Sequence, residues 1–114
     1  MATTNYYAGH LAEDVVARKY QAAGFDLISK RFRRREGEID LVLGHANKLY
    51  FVEVKKSSSF EKAAQRITSK QIERIKNAAL RFLSDTGRVL ETDMRFDAAL
   101  VNETGQVKVI ANAF

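Results

Sequence analysis

Apolar positions recur at helical spacing from about Asn5 to Ala23, where Ala8, Ala12, Val15, Val16, Tyr20 and Ala23 share one face. Thr4 or Asn5 offers a cap, and Gly24 suits the C′ position that ends a helix. "FDLISKRFRRR" then reads as a strand with a basic second half. "EIDLVL" and "LYFVEVK" read as two more, joined by "GHANK", a connection of hairpin size. "SSSFEKAAQRI" reads as a flexible segment with room for a helical turn. A second helix follows: Thr68 and Gln71 form a T-x-x-Q capping box, Ile72, Ile75, Ala79, Phe82 and Leu83 share a face, and Gly87 ends it. Two last strands, "DMRFDAALV" and "QVKVIANAF", flank the turn signal "NETG". The expected order is α-β-β-β-α-β-β. A helix between the third and fourth strands makes those two candidate parallel neighbours through a right-handed crossover.

Composition narrows the class. The 114 residues suit a single domain spanning 1–114, and 46% apolar with 29% charged residues describes a soluble globular chain. No apolar run reaches membrane-spanning length, and "MATTNYYAGHLAEDVV" does not read as a signal peptide, so a cytoplasmic location without membrane association is expected. Cysteine is absent, which excludes disulfides and thiolate metal sites. The net charge of +5 favours an anionic partner, nucleic acid first, although many small domains are basic without binding one.

The chemistry concentrates in the central hairpin. Asp40 interrupts "GEIDLVL" and Glu53 interrupts "YFVEVKK", and an unpartnered buried charge is costly. If Leu43 faces Tyr50 and Val42 faces Phe51, Asp40 faces Glu53 on one side of the sheet, with Lys55 two positions along. Facing carboxylates repel, and a divalent cation would offset that; an oxygen-only donor set suits Mg2+ or Mn2+. The plain alternative is a half-exposed hairpin in which Asp40 meets solvent and Glu53 pairs with Lys55.

These residues are similar to the acid…(D/E)-x-K signature of the restriction-endonuclease-like, or PD-(D/E)XK, nuclease superfamily. More closely, the chain resembles the YraN-like group of small bacterial proteins. The likeness runs from Gly9, Glu13 and Ala17 through "GEIDLV", "FVEVK" and the Lys70-to-Ala79 segment to "RFD" at Arg95–Asp97 and the closing "NAF". It implies an α/β fold with an αβββαβ core and a mixed central sheet flanked by helices. It further implies that Asp40 and Glu53 are metal ligands, that Lys55 is catalytic, and that Glu13 approaches the site from the first helix. The helical projection sets Glu13 at the border of the apolar stripe, although an ordinary surface Glu is the plain reading. One departure concerns substrate contacts: Ser57 stands where the group often has Arg.

The resemblance implies a metal-dependent nuclease acting on DNA ahead of RNA, with branched or damaged DNA suggested by resolvases of similar fold. Asp40, Glu53 and the Val54 carbonyl would hold Mg2+ or Mn2+, with Glu13 at a second metal or a water and Lys55 stabilising charge. "KRFRRR" offers Arg31, Arg33 and Arg35 on one strand face and Arg34 on the other, either as phosphate contacts or as an edge that resists aggregation. Lys70, in the first turn of the second helix, and Arg66 are further phosphate candidates, with an ordinary surface Lys as the alternative. Phe60 and its serines are either a flap near the site or a plain loop. A two-fold substrate would favour a homodimer. The competing readings are a non-catalytic nucleic-acid-binding module on the same fold and a scaffold that binds a protein through the Phe-rich C-terminus.

Overall fold

A computed structural model describes the backbone of residues 2–114 and the side chains from His10 onward. In chain order the elements are α1 (Ala2–Ala22), β1 (Asp26–Arg34), β2 (Gly37–His45), β3 (Lys48–Lys56), α2 (Phe60–Gln65), α3 (Ser69–Asp85), β4 (Met94–Val101) and β5 (Val107–Ile110). They form a mixed α/β fold around one five-stranded sheet in the order β1-β2-β3-β4-β5. Neighbours run antiparallel except β3 and β4, which are parallel. Their connection carries α2 and α3, as a parallel pair requires. Among the described residues no helix is long and apolar enough to cross a membrane.

The helix ends follow their sequence signals. At the end of α1 the Phe25 N–H donates to the Tyr20 carbonyl and the Gly24 N–H to the Gln21 carbonyl, with Gly24 at φ +96°. This is a Schellman cap, and the Phe25 ring meets the Tyr20 ring edge-on at 5.2 Å, the apolar contact such caps carry. α3 begins with the full Thr68–Gln71 capping box and ends the same way at Gly87. The expected cap at Thr4 or Asn5 falls inside α1, whose side chains before His10, Ala8 included, lie outside the described residues.

Two apolar layers hold the helices to the sheet. Ala12, Val16, Ala17 and Tyr20 of α1 pack on Leu41, Leu43, Tyr50 and Val52. Ile75, Ala78, Ala79, Phe82 and Leu83 of α3 pack on the other face against Phe32, Ile39, Val42, Leu49 and Phe51. Three expectations need correction. Ala23 is exposed because the α1 cap has already turned the chain. The serine-rich segment contains α2, whose N-cap Ser59 accepts the Lys62 N–H. The last strand stops at Ile110: Asn112, at φ +53°, redirects the chain, the Ala113 N–H donates to the Phe96 carbonyl, and Phe114 packs on the α3-side core.

Gly37 sets how closely α3 approaches the sheet. A Cβ there would lie 2.2 Å from the Arg74 carbonyl oxygen, a backbone atom that cannot move without moving α3. Gly44 differs, since its Cβ would press on the end of the Ile28 side chain, with the Lys48 carbonyl oxygen at an ordinary 3.9 Å. Urea unfolding should therefore show Gly37→Ala destabilised by about 2 kcal/mol, with Gly44→Ala much less affected.

Candidate active site

The β2–β3 ladder pairs His45 with Lys48, Gly44 with Leu49, Leu43 with Tyr50, Val42 with Phe51 and Leu41 with Val52, and there it stops. Beyond it β2 stays paired with β1 as far as Gly37, while β3 stays paired with β4 as far as Lys56. The sheet forks, and Asp40 is the first residue past the split. The alternation of β2 breaks here too: Ile39 and Val42, three apart, both pack on the α3 side. Opposite the break Lys30 pairs with Leu41 and Phe32 with Ile39, and the intervening Arg31 holds φ +54°, a left-handed conformation costly for a bulky residue.

The fork lets side chains converge. Asp40 Oδ2 accepts the Val54 N–H at 2.8 Å, filling with a carboxylate the place of the missing ladder partner. A residue's N–H and C=O project to the same side of an extended strand, so the Val54 carbonyl also faces the fork. Glu53 is close enough to Asp40 for the two carboxylate charges to repel, and Lys55 Nζ lies 3.5 Å from Glu53 Oε1. Asp40, Glu53, Val54 and Lys55 line a cavity of ≈ 350 Å³, together with Glu13 from α1 and Arg74 from α3.

Glu13 is buried and looks into this cavity, with Arg31 Nε 3.8 Å from its carboxylate. Among the described residues no three His, Cys, Asp or Glu side chains come together in a ready-made metal cage. The carboxylates that do meet are the Asp40–Glu53 pair.

Both glutamates are perturbed. Burial, reinforced by the Asp40 charge and opposed by Lys55, pushes Glu53 up from 4.5 to about 8. Burial and Asp40 likewise push Glu13 up to about 7, against the pull of Arg31. Between pH 4.5 and 8 the folded state therefore holds a proton on Glu53 that the unfolded chain has lost, so stability falls as pH rises through that window. Glu53→Gln removes this dependence: its Tm should exceed wild type by about 5 °C at pH 8.5 and match it near pH 4. An equal gain at both pH values would rule out the titration as the cause.

The other expected contact residues are dispersed. Arg33 pairs with Glu38 at 2.6 Å, and Arg34 donates to Asp85 at 2.9 Å and to the Arg33 carbonyl. Arg31 meets Glu13 and His10. Arg35 is exposed in the β1–β2 turn. Arg66 donates to the Lys56 carbonyl at 2.9 Å, and Lys70 lies in the first turn of α3, one turn before Arg74. Lys56, Glu38 and Arg74 are wall residues that sequence reasoning missed. Gly37 carried the one legible signal, a glycine beside the acid motif that admits α3 to this end of the sheet.

A family model described as "Uncharacterised protein family UPF0102" matches residues 12–101. The chain belongs to the UPF0102 family. A UPF0102 protein of Ruegeria pomeroyi is 42% identical over 112 residues, covering 98% of this chain and 91% of its own length. One from Cereibacter sphaeroides is 44% identical over 110 residues, covering 96% and 94%. One from Roseobacter denitrificans is 46% identical over 108 residues, covering 95% and 84%. The UPF0102 match spans the whole fork, from Glu13 through Asp40, Glu53 and Lys55 to the α3 wall.

Proposed function

We propose that this UPF0102 chain is a nuclease of the restriction-endonuclease-like type, hydrolysing phosphodiester bonds in DNA with Mg2+ or Mn2+. The observation that carries the reading is the fork, where Asp40, Glu53, the Val54 carbonyl side and Lys55 meet at one cavity. The donor set fits the ion. Two carboxylates and a backbone carbonyl are all hard oxygens, and Mg2+ commonly takes one or two carboxylates and completes its shell with water and substrate phosphate. When bound there, the cation would polarise a phosphoryl oxygen and favour ionisation of a water.

The remaining work falls to the chain. Asp40 and Glu53 would hold the cation in their ionised forms, its charge offsetting the burial and the Asp40 repulsion that keep a proton on Glu53. Lys55 supplies a fixed positive charge toward the negative charge that grows on the phosphoryl oxygens. Glu13, with a pKa of about 7, is suited to accept a proton from water at neutral pH. In hydrolysis the water oxygen bonds to phosphorus, the bond to one ester oxygen breaks, and a proton passes to that leaving oxygen.

A second reading, a non-catalytic nucleic-acid-binding module on the same fold, is favoured by the lack of a third clustered ligand among the described residues. A cleavage panel decides between them, using single-stranded, duplex, flapped and four-way DNA and an RNA strand, with Mn2+, Mg2+ or EDTA. Cleavage that needs the cation supports the nuclease. Binding to these substrates with no cleavage under any condition leaves the module.

A further inference from the structure

We propose that the phosphodiester chain reaches this site over a rim formed by Lys56, Lys70 and Arg74, and not over the arginine run of β1. The proposal deepens the functional reading above and takes the nature of the ligand from it.

The two sides of the cavity differ in charge. Glu13, Glu38 and Asp40 are the charged residues of its α1 and β2 wall, whereas Lys55, Lys56 and Arg74 outnumber the single acid Glu53 on its β3 and α3 wall. A polyanion following the β1 side would pass acids, and all the cations there but Arg35, in the turn, are already engaged. Lys30 pairs with Asp14, Arg31 with Glu13, Arg33 with Glu38 and Arg34 with Asp85. Each such pair cancels most of its own field, and a phosphate would have to displace a carboxylate to use the cation.

The opposite rim is different. Arg74 is exposed, and neither it nor Lys70 nor the Lys56 side chain has an ion pair or hydrogen bond among the described residues. Arg74 is also well anchored: its backbone carbonyl lies against Gly37, at the start of the strand that carries Asp40. Its guanidinium therefore hangs from a fixed point on the wall. Lys70 stands one turn earlier on α3, and the Arg66 bond to the Lys56 carbonyl ties the end of β3 to the segment that leads into α3. Gln71, between the two α3 cations, has its Oε1 taken by the Thr68 N–H in the capping box. A guanidinium can grip a phosphate bidentately, which suits Arg74 to hold the backbone next to the reacting bond.

The test uses metal-free protein in EDTA, so that binding is read apart from cleavage. Anisotropy of labelled DNA and RNA strands of one sequence is followed from low salt upward. Arg74→Ala should weaken binding about tenfold and lower the slope of log affinity against log salt by about 1. Arg74→Lys should fall between, keeping charge but losing the bidentate grip. The Lys30→Ala/Asp14→Ala double variant, which removes a β1 cation together with the acid that cancels it, should stay within about twofold of wild type. Thermal melts check that each variant is folded. The rim is overturned if the β1 double variant loses as much as Arg74→Ala, if Arg74→Ala binds as wild type, or if wild type binds neither strand. Binding that depends on Arg74 without cleavage under any cation leaves the rim standing and removes the nuclease.

Discussion

The Glu53→Ala protein is expected to cleave DNA in Mn2+ at least about 100-fold more slowly than wild type, while melting at the same or a higher temperature. The two halves of that result have one cause. In the metal-free protein Glu53 is buried beside Asp40, and its pKa of about 8 shows that its charge is unwelcome there. Removing it relieves the fold and, on the proposed mechanism, costs the site a ligand. Asp40 needs a gentler change, because its carboxylate accepts the Val54 N–H and Ala would leave that donor unpaired. Asp40→Asn keeps an acceptor and should lose cleavage to a similar degree with little change in Tm. Mn2+ should raise the wild-type Tm through binding to the folded state and should not raise that of Glu53→Ala. Cleavage by both variants at wild-type rates would remove the mechanism. Lost cleavage accompanied by a large drop in Tm would point to a structural role for the pair.

Much of the scaffold was readable because its signals are local. The Thr68–Gln71 box and Gly24 marked helix ends within a residue or two, and the hairpin register chosen to bring Asp40 opposite Glu53 is the one in which Leu43 pairs with Tyr50 and Val42 with Phe51. The same register put Asp40 opposite Glu53, and the two do meet, though by another route. The ladder ends at Leu41 and Val52, and Asp40 spans the resulting gap with its side chain. Nothing in a period of two announces a fork, since it arises from β2 following β1 while β3 follows β4. The positive φ of Arg31 was hidden as well, because glycine is the residue that advertises that conformation. The α3 wall depends on the helix's crossing position, a tertiary property. The basic run was the most conspicuous feature of the sequence, yet most of its cations meet acids that lie far along the chain, as with Arg34 and Asp85.

The largest stability effect is expected away from the cavity, at Asp97. This side chain is wholly inaccessible to solvent and accepts four hydrogen bonds: Tyr20 Oη at 2.7 Å, Arg95 Nε and Nη2 at 2.8 Å each, and the Asn112 N–H at 3.0 Å. It thereby joins α1, β4 and the C-terminal turn at one point. Burial alone would raise its pKa, but the bonds from Arg95, Asn112 and Tyr20 outweigh burial and hold it below the usual 3.8. A depressed folded pKa means that its stabilisation is present above the unfolded value and is lost as pH falls through the folded one. Asn in its place offers one acceptor oxygen and turns an NH2 group toward other donors. Arg95, which lies over the Tyr50 ring, is left without its counter-charge. Urea unfolding at pH 7 should therefore show Asp97→Asn destabilised by about 3–5 kcal/mol, a large part of a small domain's total. Tyr20→Phe removes only one of four donors from a still well-satisfied carboxylate and should cost about 1 kcal/mol. As pH is lowered toward 3, the gap between wild type and Asp97→Asn should narrow, because wild type loses what the variant never had. A loss under 1 kcal/mol for Asp97→Asn, or a gap that does not change with pH, would show that the ionised Asp97 is not what ties these elements together.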